Sequence, residues 1–475
     1  MRTGTFLDGA FDPGGLRQQG EAVLALLVQH LEGSLRREGA VMPRGTPAEL
    51  CLRFPPEFSP QGDGALVEHI ERALRASTNL QSPRFVGHQV ATPLPAAALC
   101  DLVAAFINNG MAVFEMGPAA SAMERAVLRF LAEQAGLPAT SGGVLTSGGS
   151  LGNLTALLAA RQAAGKRAGF DIWRQGLRNL PQLCILVADT AHYSVARAAR
   201  MLGLGDHGVI LIETDERLRM RPSSLATELA AAKRRQKLPI AVVASAASTA
   251  AGAYDPLEPI ADLCAEHGVW LHVDGAHGAS LLLSEKHRHK LAGVGRADSL
   301  CWDAHKLMLM PALITAVLFR DAMDGAAAFA QEAGYLFEDD NAEWAEIGKR
   351  TVECTKRMMS LKLYACLRAL GTDAFAAHID TCCALATEMA AKARARGLEV
   401  LTEPECNIVC FRPPGIDGGK LSALRRRLLE EGAFYLVQLH RKDGLWLRCT
   451  FTHPLTTGQD LDALLDAIVS GLASL

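Results

Sequence analysis

Aromatic side chains are scarce in this chain of 475 residues, and an excess of basic residues is missing as well. Phe, Trp and Tyr together make up 5% of the sequence, which leaves little aromatic surface on which nucleic-acid bases could stack. Lys and Arg number 48 against 51 Asp and Glu, so the chain has no surplus of cations for binding phosphate backbones. The composition therefore argues against a nucleic-acid-binding protein.

Long apolar runs and metal-ligand motifs are also lacking. The first ten residues carry no apolar core of the kind found in a secretory signal, and the most continuous apolar stretch, 240–254, is short and broken by Ser, Thr and Gly. The 12 cysteines include no CxxC pair and no Cys/His ligand set, which disfavours a zinc site. We therefore expect a cytoplasmic protein with free thiols and no bound metal.

Short apolar runs alternate with helical stretches between residues 94 and 375. Four of the runs predict buried strands: 183–188, 208–212, 240–244 and 269–274. The helix between the last two strands is predicted to begin at Asp255, as its N-cap, and to end at Gly268. Strand–helix alternation over this length favours an α/β fold with a mostly parallel sheet covered on both faces.

The two ends of the chain differ from this pattern. The N-terminal part is predicted to be helical, and its apolar stretch 22–31 packs either within the chain or on a second subunit. Beyond residue 375 the pattern changes to a small α+β unit, in which Thr457 and Asp460 could cap the last helix. The predicted organisation has three parts, namely an N-terminal helical arm (1–93), a large domain (94–375) and a small C-terminal α+β domain (376–475).

Residues with chemical potential follow the predicted strands at their carboxyl ends, where open α/β sheets place functional groups. Asp274 ends one strand and is followed by small residues, which leave room for a flat ligand. His192 and Thr249 follow two other strands, and Lys306 comes 32 residues after Asp274. Upstream, the small residues 146–150 lead into a helix, a pattern that directs backbone N–H groups at a phosphate. Each signal is weak alone, but their order points to one site.

In this order the motifs resemble the fold-type I pyridoxal-phosphate enzymes, and among them the group II amino-acid decarboxylases. The matching segments span nearly the whole chain and are Phe85-Val-Gly-His-Gln, Phe114-Glu-Met-Gly-Pro, Met123-Glu, Thr146-Ser-Gly-Gly-Ser, Ala191-His-Tyr-Ser, Val273-Asp-Gly-Ala-His, Asp303-Ala-His-Lys, Gly334-Tyr-Leu-Phe, Leu447-Arg and His453-Pro-Leu-Thr-Thr. The resemblance implies an aspartate-aminotransferase-like fold. It also implies a homodimer in which the active site is shared between subunits.

The resemblance implies a role for each matched residue. Lys306 would form the Schiff base with pyridoxal 5'-phosphate, Asp274 would pair with the pyridinium nitrogen, and His192 would stack on the ring. Tyr335 would return a proton to the substrate Cα after the carboxyl group has left. The other residues implied to bind the cofactor are Ser147, Gly148, Gly149, Ser150, Thr249, Ala276, Asp303 and His305.

Several positions depart from the family pattern or bear on the substrate. Asp303 stands where many relatives carry Asn, so contacts on the phosphate side are expected to differ. Lys356 and Arg357 either receive a substrate carboxylate or anchor a loop, and the sequence does not decide between the two. His88 and Phe114 are expected to line the substrate pocket, with Phe114 facing the cofactor of the other subunit.

The resemblance implies α-decarboxylation of a small polar or charged L-amino acid to its amine and carbon dioxide. The substrates considered are glutamate, aspartate, sulfinoalanine and 2,4-diaminobutyrate, and the motifs do not choose among these branches. Aldehyde lyases, aminotransferases and decarboxylating oxidases share the Lys, Asp and His residues, and therefore form a second hypothesis. A third is a cofactor-binding scaffold without turnover, against which the intact Lys306, Asp274, His192 and Tyr335 argue.

Overall fold

A seven-stranded sheet lies at the centre of the computed structural model, which describes residues 8–329, 345–353 and 355–472. Its strands are β1 (Gly142–Thr146), β2 (Leu183–Ala188), β3 (Val209–Ile212), β4 (Leu238–Ser245), β5 (Trp270–Asp274), β6 (Ser299–Asp303) and β7 (Thr315–Phe319). They are ordered β1-β7-β6-β5-β4-β2-β3, and β7 runs antiparallel to the other six. The mostly parallel sheet expected from the sequence is therefore confirmed.

Helices cover both faces of this sheet, because alternate strand residues point to opposite sides. The helices are α1 (Pro13–Leu35), α2 (Pro47–Leu52), α3 (Leu66–Ala76), α4 (Pro95–Ile107), α5 (Pro118–Gln134), α6 (Gly149–Arg167), α7 (Ile172–Gln175), α8 (Ser194–Met201), α9 (Pro222–Arg234), α10 (Leu257–His267), α11 (Ala322–Phe329), α12 (Ser360–Ala395), α13 (Gly418–Glu431) and α14 (Gly458–Leu472). Leu186 and Val242 pack towards α5, α9 and α10, whereas Ile185 and Val243 pack towards α6 and α8. Among the described residues no helix has the length and apolarity needed to cross a membrane.

A second, antiparallel sheet is formed by the C-terminal part of the chain. Its strands, in the order β10-β11-β9-β8, are β8 (Glu399–Val400), β9 (Ile408–Arg412), β10 (Val437–Arg441) and β11 (Gly444–Thr450). The N-terminal segment joins this unit, because Val86 N–H donates to Tyr435 O (2.9 Å) and Val86 O accepts from Thr450 N–H (2.8 Å). Gly87 is required there, since a Cβ atom would lie 2.3 Å from the Tyr435 ring. This pairing fixes His88 beside the small sheet.

The helix boundaries show one correction. Asp255 is not the N-cap of α10; its buried carboxylate accepts hydrogen bonds from the backbone N–H groups of Met220 (2.6 Å) and Ser245 (2.7 Å). The expected end of α10 is confirmed, because Gly268 caps it in the left-handed conformation with φ +63°. The predicted cap of α14 is also confirmed, since Thr457 N–H donates to the Asp460 carboxylate (3.0 Å) and Asp460 N–H to Thr457 Oγ1 (3.4 Å).

Candidate active site

The carboxyl ends of the parallel strands bring the predicted site residues to one edge of the central sheet. There β2 leads to His192, β4 leads to the partly buried Thr249, and β5 ends at Asp274. The neighbouring strand β6 ends at Asp303, three residues before Lys306. The structure thus assembles residues that are more than a hundred positions apart in the sequence.

Asp303 is the direct partner of the Lys306 amine. The Lys306 Nζ atom lies 2.9 Å from Asp303 Oδ2, and the Thr315 hydroxyl donates to Asp303 Oδ1 at 2.5 Å. Burial alone would raise the pKa of Asp303, but the nearby Lys306 and His305 outweigh burial and hold that pKa below its ordinary value. The His305 ring lies 3.5 Å from the same carboxylate and is itself buried. Asp303 therefore places a negative charge against the lysine amine.

The loop between β1 and α6 packs directly on this lysine segment. Gly148, at φ +115°, precedes the first turn of α6, which contains Gly149 and Ser150. A Cβ atom on Gly149 would lie 3.1 Å from both carboxylate oxygens of Asp303, so the loop approaches as closely as a glycine allows. The Ser147 hydroxyl donates to Glu353 Oε1 at 3.2 Å. The first N–H groups of a helix have no partner within the helix, so the start of α6 is a place where a phosphate can bind.

Asp274 and His192 are tied together through Asn153. One amide nitrogen, Asn153 Nδ2, donates to Asp274 Oδ2 and to Ser194 Oγ, both at 2.9 Å. His192 Nδ1 lies 2.8 Å from the same Ser194 hydroxyl. Burial lowers the pKa of His192 although the Asp274 carboxylate opposes this effect. Both side chains are therefore held in defined positions.

This set of groups fits pyridoxal 5'-phosphate. An amine at Lys306, a carboxylate at Asp274 and a phosphate-binding helix start are the three polar partners that an aldehyde, a ring nitrogen and a phosphate need. The His192 ring and the small Ala276 side chain are the groups available for the two faces of a flat ring. A Cβ atom on Gly149 would lie 3.3 Å from Ala276 Cβ, so the ring-side and phosphate-side residues are neighbours.

Sequence reasoning assigned no role to Arg448. This side chain is 6% exposed and extends from β11. Within the described ranges nothing accepts a hydrogen bond from its Nε or Nη2 atoms. The pKa of His88 is lowered mainly by partial desolvation of its ring and next by the positive charge of Arg448, which places the two side chains close to each other. The available signals were the matched Leu447-Arg segment and a single charged residue inside an otherwise apolar strand.

Lys356 and Arg357 take different positions. The Lys356 Nζ atom is fully enclosed, lies 2.5 Å from Glu124 Oε1 and donates to Leu145 O at 2.7 Å. Arg357 is exposed and donates to the backbone oxygen of Asp101 on α4 (3.3 Å). Of the two alternatives left open by the sequence, these contacts favour anchoring for Lys356, because its ammonium already has an anionic partner.

Two predicted residues remain, Phe114 and Tyr335. Phe114 is half-buried in a single 3₁₀ turn, Phe114–Met116, immediately before α5. Tyr335 and the Gly-Tyr-Leu-Phe motif lie outside the described residues.

The chain is similar to known decarboxylases over most of its length. Residues 47–413 match the family model described as the pyridoxal-dependent decarboxylase conserved domain. The chain is 32% identical to cysteine sulfinic acid decarboxylase from Homo sapiens over 443 residues, 89% of each chain. It is 31% identical to the acidic amino acid decarboxylase GADL1 from Mus musculus, covering 85% of this chain and 76% of that one. The crystal structure of mouse CSAD superimposes with a TM-score of 0.91 at 30% identity, covering 97% of this chain and 99% of that one.

Proposed function

Because the chain belongs to the pyridoxal-dependent decarboxylase family and is a pyridoxal-phosphate-dependent carboxy-lyase, we propose that it decarboxylates a small acidic L-amino acid to the amine. The observation that carries this proposal is the buried Arg448 guanidinium, which has free donors among the described residues. A buried cation without an anion costs free energy, and an anionic ligand would remove that cost.

The position of Arg448 relative to Lys306 supports an anionic substrate. Burial, together with the cations Lys306 and Arg448, lowers the pKa of His277 to about 3, so both cations lie within electrostatic reach of one ring. When the substrate amine is at Lys306, Arg448 is therefore placed to pair with the side-chain carboxylate or sulfinate of the substrate. The exposed His88 offers a second polar contact beside it. A diaminobutyrate side chain would instead bring a cation towards a cation.

The cofactor-binding residues have separate tasks in this proposal. Bound pyridoxal phosphate supplies an electron sink for the electron pair of the breaking Cα–carboxylate bond. Lys306 carries the cofactor, and Asp274 keeps a proton at the ring nitrogen by its negative charge. His192 covers one ring face and excludes water from it. Tyr335 returns the proton to Cα. The phosphate and the ring edge are held by Ser147, Gly148, Gly149, Ser150, His305 and Thr249.

We further propose a cytoplasmic homodimer with the three-part organisation 1–93, 94–375 and 376–475. Large apolar side chains stand in water on α1 and on α4, where Leu102 is 65% and Phe106 71% exposed. A second subunit on these faces would remove that apolar surface from water. It would also bring Phe114, seven residues after the end of α4, towards an interface. The cysteines in the described part of the chain are free thiols, which suits a reducing compartment.

The decisive experiment is a panel assay on the purified holoenzyme. Cysteine sulfinate, aspartate, glutamate, 2,4-diaminobutyrate and an aromatic amino acid are supplied separately, and carbon dioxide, amine, aldehyde and keto acid are measured. Amine with stoichiometric carbon dioxide from an acidic substrate supports the proposal. Keto acid without gas, or faster turnover of diaminobutyrate, would overturn it.

A pair of arginine variants tests the anion site separately. Arg448→Met should raise KM for the acidic substrate by about thirtyfold or more, because one charge-assisted pair is lost. Arg412→Met is the matched control, since Arg412 lies on the neighbouring strand β9 and already pairs with Glu399 at 2.8 Å. Equal effects of the two variants on KM would contradict the assignment of Arg448.

A further inference from the structure

A buried chain of hydrogen bonds holds the Asp274 and His192 side chains in position. Trp270, His272 and Asp274 alternate along β5 and therefore share one face of the sheet. The helix α6 packs on that face and brings the Asn153 side chain, 1% exposed, against it. Asn153 thus bridges β5 and the Ser194 hydroxyl at the start of α8.

The chemistry of the partners fixes the direction of each bond on the β5 side. Asp274 as a carboxylate only accepts hydrogen bonds, so the atom of Asn153 that faces it at 2.9 Å is the amide nitrogen. The amide oxygen then faces His272 Nε2 at 3.0 Å, which must carry the proton. Burial lowers the pKa of His272 to about 4, so the ring is neutral and its Nδ1 accepts from Ser299 Oγ (2.8 Å). The indole N–H of Trp270, a donor only, occupies the same hydroxyl oxygen at 2.8 Å.

The direction is equally determined on the His192 side. The second hydrogen of Asn153 Nδ2 is donated to Ser194 Oγ, so this hydroxyl is free to donate in turn to His192 Nδ1 at 2.8 Å. The backbone N–H of Ser194 also points at His192 Nδ1, at 3.3 Å, and a backbone N–H cannot accept. His192 Nδ1 is therefore an acceptor of two hydrogen bonds, and the ring proton is on Nε2.

We propose that Asn153 is a positioning residue for the decarboxylation site, whose single amide group holds Asp274 as a carboxylate and His192 as a neutral ring with its proton on Nε2. The inference rests on the proposed function, because it concerns residues assigned to that site. It gives His192 the task of a fixed N–H donor on the cofactor side. Proton abstraction by Nδ1 is excluded in this arrangement, since that lone pair is already occupied by Ser194.

The position of the proton can be read directly. Holoenzyme labelled with ¹⁵N-histidine gives long-range ¹H–¹⁵N spectra in which a bare ring nitrogen and a protonated one resonate far apart. The His192 signals are identified by their loss in His192→Gln. We expect a bare Nδ1 and a protonated Nε2 for His192 at neutral pH. A protonated Nδ1, either as the other tautomer or as imidazolium, would overturn the inference.

The role of Asn153 is tested by the nearly isosteric variant Asn153→Asp, which cannot donate two hydrogen bonds. With the best substrate of the panel, kcat should fall by about tenfold to a hundredfold while KM stays within threefold, because Arg448 is untouched. The absorbance of the bound cofactor should also titrate at least one pH unit away from the wild-type value. An unchanged absorbance titration would refute the positioning role even if kcat fell.

A matched serine pair separates this network from general packing. Ser299→Ala removes the hydroxyl between Trp270 and His272, whereas Ser280→Ala removes a hydroxyl that accepts from the equally buried indole of Trp302 at 2.9 Å. We expect the His272 and His192 spectra to change in Ser299→Ala alone, with similar thermal stability of both variants. Identical spectra would overturn the inference. The spectra do not depend on which amino acid is turned over, so failure of the proposed substrate would be recognised separately in the panel assay.

Discussion

Replacing Lys356 with methionine tests whether this residue is an anchor or a substrate ligand. The side chains of Lys356 and Glu124 are each 1% exposed, and the Glu124 oxygen that faces Lys356 Nζ at 2.5 Å also accepts from Leu145 N–H at 3.0 Å. Lys356 itself donates to Leu145 O at 2.7 Å. The pair therefore holds both backbone groups of a residue that directly precedes Thr146 and the phosphate-side loop.

The size of the effect follows from the burial of both charges. In Lys356→Met the Glu124 carboxylate stays buried without its cation, which costs about 3–5 kcal/mol of unfolding free energy. Removing both charges in Glu124→Gln/Lys356→Met should restore most of that loss, because neither side chain is then ionised. Displacement of Leu145 should also weaken cofactor binding, whereas KM for the amino acid should stay within twofold.

The measurements are urea unfolding of the holoenzyme, equilibrium binding of pyridoxal phosphate to the apoenzyme, and KM. Lys362→Met is the matched control, since Lys362 is 3% exposed but pairs at 3.1 Å with Asp101, which is 18% exposed and keeps access to water. We expect a smaller loss of stability in this control. A tenfold rise in KM for Lys356→Met with an unchanged free energy of unfolding would refute the anchoring argument and would identify Lys356 as a substrate ligand.

Three other expectations follow from the same contacts. Gly149→Ala should lower cofactor affinity about tenfold in equilibrium dialysis, because the new Cβ would press on Asp303 at 3.1 Å. Asp460→Asn should lower the free energy of unfolding in urea by about 2 kcal/mol, since the Asp460–Arg37 ion pair is lost. Burial alone would raise the pKa of Asp460, but Arg37 holds that pKa below its ordinary value, so the wild type is stabilised by this carboxylate above about pH 5. The difference between wild type and variant should shrink as the pH falls below 3.8. Burial lowers the pKa of His378 to about 4, so between pH 6.5 and 4 the unfolded chain binds a proton that the folded chain does not. The wild type should therefore lose stability as the pH falls through this range, and His378→Gln should lose less.

The strand ends that carry the site could be predicted because their signals are local. Asp274 ends a buried apolar run, and the small residues after it, like the glycines before α6, report backbone geometry that depends on the immediate sequence. The order of these signals, together with the family resemblance, then located Lys306 and His192. The mostly parallel sheet followed from the same alternation.

The remaining features depend on partners that are far away in the sequence. Asp255 has the sequence context of a helix cap, yet its carboxylate is taken by the backbone of Met220, 35 positions upstream. Lys356 has the sequence context of a basic loop residue, yet its ammonium group pairs with Glu124, 232 positions away. Arg448 is buried, and no described residue accepts a hydrogen bond from its Nε or Nη2 atoms. For Asp255 and Lys356 no local pattern encodes the distant partner.

The attachment of the N-terminal segment to the C-terminal unit has a consequence for biosynthesis. His453 Nε2 contacts Gln81 O across 372 positions at 3.0 Å, and Arg37 reaches Asp460 across 423 at 2.9 Å. The Arg37–Asp460 bond cannot form until α14 has left the ribosome, and the pairing that fixes His88 must wait for Tyr435 and Thr450. The central sheet can fold during translation, but the proposed substrate side of the site is completed only after the C-terminal strands have left the ribosome. Ribosome-stalled chains that expose the central sheet but not β11 should therefore have an incomplete substrate pocket.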